Sequence, residues 1–410
     1  MNRVIIVDGF STGKHYAAVF RQLGYQCIHL HSNPSIDVLQ HDLNPADYEM
    51  LLVNHNNEEE ILKEVKKLSP AIVIPGCESG VELADYLSEK LALVSNGTAL
   101  SLSRRNKFYM QEQIKKAGLR SIKQFKTSSW EQARDWLHEQ KISKFIVKPL
   151  RSAGTNLFHL GYDDKTLQQA FKNIINQVDI FNYLNQEALV QECIEGQEYA
   201  INTVSYEGKH YITDICKYKR ILTAEGNNIY DKLVIEPFNI PQYETIKSYV
   251  FSVLSALGIN YGPAHSEIFL TTTGPVLVET GARLMGASIP EFFEKCMGHS
   301  QLSLAVKAYI KPKEFLDYIK ASHVPLNAHG MYVFLIASEE RLMKKINYPV
   351  LSSLRSYYDN HLYTQANQKL IKTKDLISSP GVVYLCHENN QILQSDYQKL
   401  REYEKDNLIY

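Results

Sequence analysis

Residues 262 to 283 read G-P-A-H-S-E-I-F-L-T-T-T-G-P-V-L-V-E-T-G-A-R. Ile268 to Leu270 and Val276 to Val278 are short apolar runs, and Thr271-Thr272-Thr273-Gly274-Pro275 between them has the composition of a turn, which predicts a β-hairpin. Glu267 and Glu279 fall one on each strand and face each other. At ~5 Å and an effective dielectric of ~20 their repulsion is about 3 kcal/mol, which a divalent cation between them would relieve. Side-chain alternation places His265, Glu267 and Phe269 on one face, and Glu279, Gly281 and Arg283 on one face. A cation flanked by the Arg283 guanidinium suits a polyphosphate. The alternative is a solvated hairpin with an ordinary ion pair.

The chain has 410 residues, 44% of them hydrophobic, enough for two or three packed domains. Its 44 basic and 45 acidic residues leave a formal charge of -1 and form no basic block, which argues against nucleic acid or a membrane surface as partner. Six cysteines without a C-x-x-C pair suit buried thiols in a reducing, cytoplasmic setting better than disulfides or zinc. No run approaches the roughly 20 apolar residues that a membrane span requires.

Val4 to Val7, a turn over Gly9 to Gly13, a helix over His15 to Leu23 and a strand from Cys27 to Leu30 make a β-α-β start. Strands at Leu51 to Val53 and Ala71 to Ile74, with helices at Glu58 to Lys67 and Gly80 to Lys90, extend a parallel α/β domain over residues 1-98. Functional groups in such sheets gather at strand carboxyl ends. Glu78, in Pro75-Gly76-Cys77-Glu78-Ser79-Gly80, stands at one; it either faces a cleft or polarises the helix that follows. A second block, 99-192, begins with a helix over Arg104 to Ala117 and has strands at Phe145 to Lys148 and Leu189 to Glu192, with a helix at Lys165 to Val178 between them. The remainder, 193-410, holds the hairpin, helices at Tyr243 to Leu257 and Gln301 to Tyr309, strands near 330 and 381, and a final helix at Asp396 to Lys405.

Lys148 leads into Ser152-Ala153-Gly154-Thr155, a small-residue loop able to wrap phosphate oxygens, although the same residues also make an ordinary turn. Leu189 to Tyr199 reads as strand, polar crossover and strand, a hinge whose backbone could meet a nucleobase edge, with Glu198 in reach of a ribose; otherwise both glutamates are exposed loop charges. Ser11-Thr12-Gly13-Lys14 echoes a P-loop but lacks its spacing, and residues 8 to 13 miss the G-x-G-x-x-G pattern. His265 either packs within its strand or joins the Glu267 site.

Lys107 in Arg104-Arg105-Asn106-Lys107, then Lys148, Glu192 with Glu198, Glu267, and Glu279-Thr280-Gly281-Ala282-Arg283 stand in an order that resembles the ATP-grasp superfamily of carboxylate-amine ligases. Within it, the stretches at 75-84, 262-267 and 278-283 are most similar to bacterial L-amino-acid ligases that make dipeptides, including the arginine-dependent kind of rhizocticin biosynthesis. The resemblance implies mixed α/β and α+β architecture: an ATP-grasp fold preceded by a Rossmann-like pre-ATP-grasp domain. It implies ATP and one or two Mg²⁺ ions (Mn²⁺ as substitute), amino-acid substrates with arginine a candidate for the first, and a monomer or homodimer.

It implies further that Lys107, Lys148, Ser152, Gly154 and Thr155 hold phosphates, Glu192 and Ile194 the adenine, Glu198 the ribose, and Phe269 the face of the base. Glu267 and Glu279 would bind the metal, and Lys148 and Arg283 would be catalytic. Glu78, His265, Arg283 and Ala287 would meet amino-acid substrates, Ala287 leaving a roomy second site. Gly281 departs from the asparagine that many members carry there. Other ligases or carboxylases of the superfamily, of purine-precursor or D-alanine type, and a non-catalytic ATP-binding protein are the competing readings.

Overall fold

A computed structural model describes residues 2–409 apart from 36–42, 153–155, 180, 224–227, 322–324, 344, 346, 365, 375, 377, 407 and 408, with the backbone alone at 222 and 228. The first sheet is parallel, with Met50–Val53, Gln26–His31, Arg3–Val7 and Ile72–Pro75 in spatial order. Val4 to Val7 are wholly buried, as expected of a strand covered by helices on both faces. The loops after its first and fourth strands meet backbone to backbone. A Cβ on Gly13 would lie 2.1 Å from the Gly76 carbonyl oxygen, and one on Gly76 2.4 Å from that of Asp8, so only glycine fits at either position.

A second sheet of four antiparallel strands runs Gln124–Thr127, Ala188–Glu192, Phe145–Pro149, His159–Gly161. The largest has eight strands: Gly274–Gly281, Gly262–Thr271, Gln197–Tyr206, Lys209–Leu222, Asn228–Glu236, His329–Phe334, Gly381–His387 and Tyr357–Leu362. The expected hairpin is therefore its edge. The chain passes from the second sheet to the third through residues 193 to 196 alone, between Glu192 and Gln197.

The helix expected from Arg104 to Ala117 is two helices, Ser101–Arg105 and Lys107–Lys116. Asn106 is extended between them, and its side chain accepts hydrogen bonds from the Phe108 and Tyr109 amides, the chemistry of an N-cap. The break puts Arg105 at the end of one helix and Lys107 at the start of the next. The helix expected over 165-178 runs Asp164–Ile174 behind an Asp163/Thr166 capping box, and the last helix begins earlier than expected, at Asn390. No helix of the described residues is long and apolar enough to cross a membrane, and all six cysteines are free.

Arg104 joins the first and third sheets' surroundings. Its side chain is wholly buried; Nε and Nη2 donate to Asp85 Oδ2 at 3.2 and 2.8 Å, Nη1 donates to the Leu257 carbonyl at 3.0 Å, and Nη2 also reaches the Gly97 carbonyl. Arg104→Met should cost about 3–5 kcal/mol in urea unfolding, because it strands the Asp85 carboxylate without its partner, and adding Asp85→Asn should recover part of the loss.

Candidate active site

The hairpin register pairs Glu267 with Glu279 directly, and also His265 with Gly281. Just beyond, Ile268 pairs with Leu277, so Val278 is the extra residue of a β-bulge. Bulges re-aim side chains beside functional sites, and this one sits next to the acidic pair. Glu267 and Glu279 are both partly buried, and hard oxygen donors from two carboxylates fit Mg²⁺ or Mn²⁺.

Two lysines converge on Glu279. Lys107 Nζ lies 2.6 Å from Glu279 Oε2 and donates to the Ser152 carbonyl at 2.6 Å. Lys148, buried on its strand, feels burial first and Lys107 second; both push its ammonium down, to about 8, against the pull of Glu279 and Glu267. Burial alone would raise the Glu279 carboxyl, but Lys107 and Lys148 overcome it and hold it at about 2. Lys107 thus supplies cationic charge at an anionic pair. Arg151, three residues after Lys148, grips Glu82 of the first domain with Nη1–Oε2 at 3.1 Å and Nη2–Oε1 at 3.2 Å. Gly154 and Thr155 lie outside the described residues.

Glu78 comes from the carboxyl end of the fourth parallel strand and reaches the hairpin. Its Oε1 lies 2.5 Å from Arg105 Nη1 and its Oε2 2.9 Å from Arg283 Nε. Burial works to raise this carboxyl; Arg105 and Arg283 outweigh it and hold it below its ordinary value. A Cβ on Gly281 would stand 2.6 Å from Glu78 Oε2. A side chain there would have to displace the tip of Glu78, because Glu78 and Arg283 fill the space an asparagine side chain would need. Glu78, Arg105, Lys107, Glu279 and Arg283 line one small cavity. Three cations against two carboxylates leave it one net positive charge, suited to a substrate carboxylate.

His265 Nε2 lies 3.4 Å from Glu267 Oε1, and its Nδ1 2.8 Å from Asn202 Oδ1. Asn202 Nδ2 donates to the buried Asp214 carboxylate at 2.6 Å, which fixes the amide with its oxygen toward His265, so the Nδ1–H donates to it. His265 is thereby both packed in its strand and in contact with the acidic pair.

Of the remaining expected residues, Glu192, Ile194 and Glu198 lie at or beside the crossover, and Phe269 and Ala287 lie in the large lobe. Glu192 ends a strand with its carboxylate on the Lys123 amide at 2.9 Å, and Ile194 lies between the two sheets. Glu198, expected to meet a ribose, holds Arg220 through Oε2 at 2.9 and 2.6 Å and accepts from Tyr230 at 3.1 Å. Phe269 pairs across the sheet with Glu198, on the Glu267 face. Ala287 is exposed in the turn after Arg283, with φ of 51°. Sequence reading missed Arg105, Arg220 and the Asn202–Asp214 pair. Arg105 had the one available signal, its place beside Lys107 in a basic run.

The ATP-grasp domain signature matches residues 142–291. Dapdiamide A synthase of Enterobacter agglomerans is 31% identical over 416 residues, covering 98% of this chain and 96% of that protein. The L-arginine-specific L-amino acid ligase of Bacillus subtilis is 24% identical over 267 residues, 64% of each. Among solved structures, an L-amino acid ligase from Bacillus licheniformis matches with a TM-score of 0.75 at 18% identity, over 98% of this chain and 97% of that one. An N5-carboxyaminoimidazole ribonucleotide synthetase in its ADP complex matches at 0.71 and 15% identity, over 98% and 97%. At such identities these structures speak to the fold.

Lys148 carries a stability cost in the nucleotide-free protein. Its folded value of about 8 lies below the unfolded one, so the cost is full at pH 7 and fades as pH rises from about 8 to 10.5. Lys148→Met should stabilise the nucleotide-free protein by up to about 3 kcal/mol at pH 7, with the gain shrinking toward pH 10.5 in chemical unfolding.

Proposed function

Because the chain belongs to the ATP-grasp carboxylate-amine ligases, enzymes that form C–N bonds, we propose that it joins two L-amino acids through an aminoacyl phosphate. The fold is ATP-grasp, and the family uses ATP with Mg²⁺. In this reading residues 1-98 are the pre-ATP-grasp domain, 99-192 the small lobe and 193-410 the large lobe, working as a monomer or homodimer.

The observation that carries the reading is the Glu267–Glu279 pair beside a cationic cavity that a first-domain carboxylate enters. One oxygen of the first amino acid's carboxylate attacks the ATP γ-phosphorus, and the bond to ADP breaks. The second amino acid's amine attacks the resulting acyl carbon, loses a proton, and expels phosphate. Glu267 and Glu279 would hold Mg²⁺, which when bound neutralises charge on the phosphates. Lys148 and Arg283 offset the charge of the transferring phosphoryl group, so the chain contributes positioning and electrostatics more than covalent chemistry. Lys107, Ser152, Gly154 and Thr155 hold phosphates; Glu192 and Ile194 meet the adenine, Phe269 its face, and Glu198 the ribose with Arg220 and Tyr230 as its frame. Closure about residues 193 to 196 excludes water from the acyl phosphate.

Glu78 and His265 bind the amino acids, with Glu78 accepting the first substrate's ammonium as a third contact. Arginine as first substrate draws support from the L-arginine specificity of the Bacillus subtilis relative. Glu78 is already shared by two arginines and Glu279 by Lys107, so an arginine side chain would need carboxylates outside this cavity.

Incubation with ATP and the twenty amino acids, singly and in pairs, should release phosphate with the accepted amino acid or pair, with a dipeptide in the mass spectrum. ATP binding without phosphate release for any pair would sink the ligase reading. Arg283→Ala should lower kcat about 10²–10³-fold while nucleotide affinity measured by calorimetry stays within a few-fold.

A further inference from the structure

Ser11-Thr12-Gly13-Lys14 plays no part in nucleotide binding as read above, yet the structure sets it against the turn that follows Arg283. The Ala287 amide donates to Ser11 Oγ at 2.9 Å, and the Ser288 amide donates to Thr12 Oγ1 at 2.8 Å. Thr12 Oγ1 also approaches the Ser288 carbonyl at 3.5 Å. Ser11 and Ala287 both hold left-handed backbone, φ 52° and 51°, a conformation that non-glycine residues keep only where surroundings impose it.

The other end of the turn is anchored separately. The Met285 amide donates to Gln301 Oε1 at 2.8 Å, and Gln301 Nε2 donates to the carbonyls of Thr203 and Ala264 at 3.1 and 3.0 Å. The contact of Gly13 with Gly76 keeps the Ser11–Thr12 loop beside the loop that carries Glu78. Two neighbouring loops of the first domain thus hold one stretch of the large lobe: Glu78 at Arg283, Ser11 at Ala287 and Thr12 at Ser288.

We propose that the Ser11 and Thr12 hydroxyls are positioning groups that set the 286–288 turn as a wall of the second amino acid's pocket, and so determine which amine is accepted. This rests on the ligase reading and on Ala287 bordering the second substrate. Neither hydroxyl touches the reacting atoms.

The test compares wild type with Ser11→Ala/Thr12→Val and with the conservative Thr12→Ser. Steady-state kinetics in the double variant should show KM for the second amino acid raised about ten-fold, the effect of losing one or two hydrogen bonds, with KM for ATP within two-fold and a flatter preference among amines. Thr12→Ser should behave as wild type. Hydrogen exchange, which needs no turnover, should speed up in peptides covering residues 284–289 of the double variant. Unchanged exchange there would overturn the bracket itself. Faster exchange with an unaltered second-substrate KM, or with KM for ATP rising in step, would overturn its role in selectivity. A wild type that joins no pair of amino acids would instead count against the ligase reading, and the exchange result would still decide the bracket.

Discussion

The cavity is organised around the contact of Glu78 with Arg283, which the bare Gly281 leaves room for. A Cβ there would stand 2.6 Å from Glu78 Oε2, the tip of the side chain that lies 2.9 Å from Arg283, and would push that tip aside. One missing methyl group therefore permits an ion pair between segments 205 residues apart. That pair in turn holds Arg283 beside the acidic pair. Local sterics, long-range electrostatics and the chemistry of the cavity are one constraint seen at three scales.

The balance of charge follows from the same packing. Two carboxylates in direct register repel, and the chain answers with Lys107 at 2.6 Å from one of them, while Lys148 sits buried nearby. Burial first and the Lys107 charge second push Lys148 down, while Lys107 and Lys148 together hold Glu279 near 2. Such a site is poised to gain from the arrival of further anions, and triphosphate oxygens are of that kind. The large sheet supplies the rigidity this requires, because the hairpin is hydrogen-bonded along its length to the Gln197–Tyr206 strand.

What could be read from the chain alone was what short-range pattern encodes. The hairpin followed from two apolar runs around a Thr-Gly-Pro turn, and the parallel start followed from alternating strand and helix signals. Periodicity over 104 to 117 did not betray the break at Asn106, because a capping side chain mid-pattern looks like any polar surface residue. Arg105 stood in a quoted basic run, but its partner Glu78 lies 27 residues earlier and their pairing depends on the packed fold. The hydroxyls of Ser11 and Thr12 meet residues 276 positions away, a distance over which no local motif survives. Glu198 was legible as a glutamate beside a crossover; that Arg220 and Tyr230 frame it was not.

An amine that titrates near 8 carries about a tenth of its population as free base at pH 7, far more than an ordinary lysine does. Under the ligase reading proposed above, Lys148 would lie close to the activated acyl group, and its own acylation would be a dead end. Phosphate oxygens around it would restore the proton and quench that reactivity. On that reading, the ligand whose chemistry creates the hazard would also disarm it, confining unproductive self-modification to moments when acyl donor and nucleotide are out of step.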